Sequence, residues 1–145
     1  MTTMVELEPQ PRIDTVVRLP GGGEARRTEY VGTAWFDGKP QISGLMLRRA
    51  PNAPRGIRVP NFSTSFFVPD SLAYDRAALG DSTLTVSVVL RASGDVGAIV
   101  DAAATFTDDP SGTPTWIQLH LGGHLGWPAG VGYHIVAMTP PDAVR

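Results

Sequence analysis

Not one of the 145 residues is cysteine, which removes disulfides, thiolate zinc centres, iron–sulfur clusters and cysteine nucleophiles in one step. Stability has to come from packing. A chain of this length can supply it, because about 68–70% of the surface exposed by the unfolded form is buried on folding. Charge is sparse as well, at 18% of residues against about 25% in an average domain. No apolar run approaches the roughly 18 residues of a membrane-spanning helix. The first ten residues contain Glu6 and Glu8 but no Lys or Arg, so they lack the basic and apolar regions of a secretory signal. The expected location is the cytoplasm or a virion, without a membrane partner.

Signatures of common enzymes are missing too. No Gly-x-Ser-x-Gly elbow occurs. Gly21-Gly22-Gly23-Glu24 is not followed by the Lys-Ser/Thr of a phosphate loop and reads instead as a hairpin tip. Asp101, Asp108 and Asp109 lack the Asp-x-Asp-x-Asp-Gly spacing of a calcium loop. The sequence calls for no cofactor and gives no catalytic constellation.

What the chain has in quantity is turn formers, 16 Gly and 13 Pro, between short alternating segments. Strands are expected over residues 13–19, 30–36, 41–48, 62–68, 83–92, 98–106, 116–121 and 131–138, because apolar and polar side chains alternate there with the period of two that a half-buried strand requires. Asp37-Gly38-Lys39-Pro40 predicts a hairpin, and Ser93-Gly94-Asp95 a turn back. One short helix is expected over Leu72–Leu79, capped by Asp70 or Ser71 and closed by Gly80. Seven to eight strands with at most one short helix predict an all-β fold, an antiparallel β-sandwich of immunoglobulin-like or jelly-roll type. Residues 1–11, bracketed by Pro9 and Pro11, are expected as an extended arm, 12–140 as the sandwich domain and 141–145 as a tail.

Segment 128–135, Pro-Ala-Gly-Val-Gly-Tyr-His-Ile, resembles the late strand of immunoglobulin-like domains, and that resemblance implies that the Tyr133 hydroxyl bonds back to backbone at a corner. In size, lack of Cys and lack of a signal peptide the whole chain resembles small β-sandwich subunits of tailed-phage particles, such as decoration or minor tail proteins. This architectural resemblance implies a non-enzymatic structural or protein-binding module, working on copies of itself or a larger scaffold. The residues expected to meet a partner are Met4, Val5 and Leu7 of the arm, together with Arg48, Arg49, Arg55 and Arg58 around the proline-rich segment 50–61.

Two other readings start from particular side chains. His120, His124 and His134 fall within fifteen residues, and pairing of the last two strands would bring the first and last of them onto one face, where three imidazoles would suit a metal or small-ligand site. Trp35, Trp116 and Trp127 suggest a carbohydrate-binding module, since exposed indoles stack on sugar rings. A net charge of −2 and a pI near 5.8 argue against a nucleic-acid partner.

Overall fold

A computed structural model describes residues 5–36, 62–92, 98–124 and 129–145. These residues form an all-β sandwich, with eight strands among them in two antiparallel sheets. The strands are β1 Val5–Pro9, β2 Ile13–Arg18, β3 Glu24–Phe36, β4 Phe62–Phe67, β5 Thr83–Ala92, β6 Ala98–Asp108, β7 Thr115–His124 and β8 Ala129–Thr139. In the first sheet β3 pairs with β8 along its length, β8 carries β5 on its far side, and β1 and β2 share the other edge of β3. The second sheet is β4-β7-β6.

Alternation decides which side chains lie between the sheets. Ile117, Leu119 and Leu121 of β7 face Val131, Tyr133, Ile135 and Ala137 of β8 in one buried cluster with Tyr30, Ala34 and Val68. Leu84, Val86, Val88 and Leu90, the cleanest alternation in the sequence, pack against this cluster but stay half-buried, because β5 lies at a sheet edge. Ala102 and Ala104 of β6 are small, and bulky rings stand near by: Tyr74 meets Phe106 edge-on at 5.2 Å, and Phe66 lies 6.1 Å from Tyr133. Trp35 takes no part in this core. It lies on the outer face of the first sheet over Gly130, where an added Cβ would sit 2.5 Å from the indole ring.

Several expectations are overturned. Residues 5–9 are not a free arm: Val5 to Pro9 pair with Phe36 to Gly32, and Val5 and Leu7 pack against the core. The prolines fit because an edge strand tolerates a residue without an N–H, and the Gln10 N–H between them donates to the Val31 carbonyl at 2.8 Å. β6 does not lie beside β5 but in the opposite sheet, and the turn expected at Ser93-Gly94-Asp95 lies outside the described residues. Nor do the last two strands pair, because β7 and β8 also belong to different sheets. In place of a helix over 72–79, Tyr74 bridges to Thr115 and Val144, followed by one 3-10 turn, Arg76–Ala78, capped by Asp75. Burying the Tyr74 ring, with its hydroxyl 2.7 Å from that of Tyr30, outweighs the local helical pattern. Nor is 141–145 a loose tail: Ala143 is buried and the Arg145 N–H donates to the Ala73 carbonyl. The hairpin at 37–40 and the strand expected at 41–48 lie outside the described residues.

Among the described residues the Tyr133 hydroxyl does not make the backbone bond that the immunoglobulin-like resemblance implies. It is buried over Gly32 with no hydrogen-bond partner among the described residues, and burial pushes its pKa up to about 12. An unpaired buried hydroxyl carries its full desolvation penalty. Tyr133→Phe is therefore expected to raise stability by about 1 kcal/mol in urea denaturation, whereas a loss would show that the hydroxyl has a partner.

Candidate functional site

With Val5–Pro9 absorbed into the sheet, three surfaces stand out among the described residues. The first is β2. Its register with β3 turns Asp14 and Val16 to the inner face beside Thr28 and Arg26, and Ile13, Thr15 and Val17 to the outer face beside Glu29, Arg27 and Ala25, and among the described residues apolar side chains on both faces stay in solvent. Ile13 is 51% exposed, Val16 61%, and Leu19 just past the strand 42%. The strand itself is firmly built. Leu19 closes the hairpin through Leu19 N–H to Gly23 C=O (3.0 Å) and Gly22 N–H to Leu19 C=O (3.1 Å), and Gly21, Gly22 and Gly23 all take positive φ, which a side chain would oppose. Asp14 accepts from Thr28 (2.8 Å), Arg26 (3.2 Å) and Arg12 (3.0 Å). Partial desolvation opposes these bonds, but they prevail and hold the Asp14 carboxyl below the usual range. The Arg12 guanidinium also reaches the Asp70 carbonyl at 2.7 Å, tying β2 to the loop after β4.

The second place is the outer face of β4-β7-β6. The register puts Ser65 and Ala103 on either side of His120, and Phe67 and Thr105 on either side of Gln118. His120 lies between two hydroxyls, Ser65 Oγ at 2.6 Å from Nδ1 and Thr105 Oγ1 at 3.1 Å from Nε2. At one end an open cleft of about 320 Å³ is lined by Phe67, Val68, Asp70, Ser71, Asp109 and Trp116. The Trp116 indole N–H donates to Asp109 at 3.1 Å. Asp109 also accepts from the Ser111 N–H and hydroxyl, and these bonds, the Ser111 N–H first, lower its pKa.

The third place is the outer face of the first sheet, where His134 Nε2 stands 2.9 Å from a Glu29 oxygen and Arg27 lies 2.6 Å from the other. The His134 bond is the main cause of a lowered Glu29 pKa. Glu29 comes from β3, 105 residues earlier, so proximity along the chain gave no sign of it.

His120 and His134 thus point outward from opposite sheets, with Leu119 and Tyr133 beside them facing the core between. The strand pairing that would have joined them does not exist. The backbone of His124 lies in β7 opposite Ala98. Among the described residues no group of three His, Asp or Glu side chains is arranged to hold a metal ion. Of the residues expected to meet a partner, Val5 and Leu7 are half-buried in their own domain, while Met4, Arg48, Arg49, Arg55 and Arg58 lie outside the described residues, as does Trp127. Trp35 donates to Glu8 at 2.8 Å. Among the described residues no helix is long and apolar enough to cross a membrane. Comparison with protein-family models, with curated proteins and with solved structures finds no match to this chain.

Proposed function

We propose that this chain is a non-enzymatic structural module that associates with copies of itself through β2 and its hairpin. One observation carries the reading. Of the five large hydrophobic side chains exposed among the described residues, three (Ile13, Val16 and Leu19) fall within seven residues of one edge strand. An edge strand that presents apolar side chains and unpaired backbone groups invites another strand, and proteins that do not use such an edge usually blunt it with lysines, prolines or a bulge. The sandwich fold and the chain length are what this reading shares with the phage-particle subunits named above. Light scattering over a range of concentrations tests it. The mass should rise above the monomer's 15.4 kDa and fall back to it when Ile13→Thr, Val16→Thr and Leu19→Ser are combined. A wild-type protein that holds the monomer mass at millimolar concentration contradicts the reading.

The cleft favours a second reading, as a carbohydrate-binding module. Phe67, 39% exposed, and Trp116 offer aromatic surface beside Ser65, Gln118, His120 and Thr105, a combination that suits a sugar ring with one apolar face and hydroxyl edges. Binding on an oligosaccharide array that is lost in Trp116→Ala supports this reading, and an array without signal removes it.

A further inference from the structure

We infer that β2 pairs antiparallel with β2 of a second copy about a two-fold axis at Val16, so that one continuous sheet runs through both molecules; this rests on the self-association proposed above.

The direction of the backbone groups comes first. Both the N–H and the C=O of Leu19 are spent on the β2–β3 hairpin. Along a strand these groups alternate sides, so Val17, Thr15 and Ile13 also direct theirs to β3, while Asp14, Val16 and Arg18 direct theirs to the open edge. In an antiparallel ladder each outward-facing residue must oppose another. A two-fold axis therefore passes through a residue and never midway between two.

Among Asp14 to Arg18, side-chain charge then selects the axis. An axis at Thr15 sets Arg12 against Arg18, an axis at Asp14 sets two carboxylates together, an axis at Arg18 sets two guanidiniums together, and an axis at Val17 leaves Asp14 opposite Pro20. An axis at Val16 sets Asp14 against Arg18 twice, Val16 against Val16, Thr15 against Val17 and Ile13 against Leu19. Opposite charges directly across a ladder stabilise it and like charges destabilise it. The Asp14 side chain keeps 32% exposure within its bonds to Arg12, Arg26 and Thr28, which leaves it open to a further cation. Among the described residues no strand pairs with the outer edge of β2.

The absence of native cysteine makes the register directly testable. Under mild oxidation Val16→Cys should cross-link into a dimer, because hydrogen-bonded opposite residues have Cα atoms about 5.5 Å apart, within disulfide reach. Thr15→Cys, opposite Val17, should stay unlinked alone but cross-link when mixed with Val17→Cys. Val16→Pro should keep the wild-type circular dichroism spectrum, since the N–H it removes points away from β3, and should abolish dimerisation. Arg18→Asp, which places carboxylates opposite each other twice, should weaken dimerisation at least tenfold with the fold intact. If the wild type dimerises but Val16→Cys stays unlinked, or Thr15→Cys links as readily, this register is wrong and self-association stands. If Val16→Pro unfolds the domain, the assignment of outward-facing groups is wrong. A wild type that is monomeric throughout overturns both.

Discussion

Leu119→Asp is expected to yield no folded protein. Leu119 is fully buried in the central strand of the second sheet, opposite Phe66 on β4 and Ala104 on β6. A carboxylate there has no cation among these neighbours, so it must be buried unpaired or bind a proton, and either exceeds the losses of about 0.5–3 kcal/mol that most substitutions cause. Total stability of a domain is about 5–15 kcal/mol. The neighbouring change Gln118→Asp makes the control. Gln118 faces outward, and its substitution should shift stability by about 0.5 kcal/mol or less. Circular dichroism and urea denaturation of the two variants test the face assignment of the whole sheet, because a slip of one residue would exchange their phenotypes.

Deleting residues 1–9 should lower the melting temperature substantially. β1 contributes Val5 and Leu7 to the core and five paired positions along β3. Partial burial of two such side chains stabilises by about 2–3 kcal/mol in all, which for a chain of this size corresponds to roughly 5–10 °C. The deletion leaves β2 in place, so self-association should survive in whatever protein remains folded. A truncated protein with an unchanged melting temperature would return these residues to the status of an arm.

These two variants also separate what the sequence made legible from what it did not. Period-two alternation identified β4, β5, β6 and β8 closely, and Pro20-Gly21-Gly22-Gly23 marked the β2–β3 hairpin, because these signals are local. β1 was hidden by its prolines. Pro9 and Pro11 argue against a central strand, but say nothing about an edge, where a missing N–H is harmless. The sheet to which each strand belongs was equally invisible, since alternation fixes an inward face without fixing a neighbour. That gap produced the expected histidine cluster: His120 and His134 do face away from the core, but from opposite sheets. The exposure of β2 is another case of the same limit. Its Ile13, Thr15, Val17 and Leu19 alternate like a core face, but the register with β3 sets Ile13, Thr15 and Val17 opposite Glu29, Arg27 and Ala25 on the outer face and turns Asp14 and Val16 inward beside Thr28 and Arg26.

Amide hydrogen exchange read residue by residue, at low and at high protein concentration, tests the central claim most directly. In dilute solution the N–H groups of Thr15, Val17 and Leu19 should be protected by β3, while those of Asp14, Val16 and Arg18 exchange freely. At high concentration the second set should become protected as well, in step with the rise in mass. Protection of Asp14, Val16 and Arg18 that does not change with concentration, whether high or absent throughout, would contradict assembly through this edge.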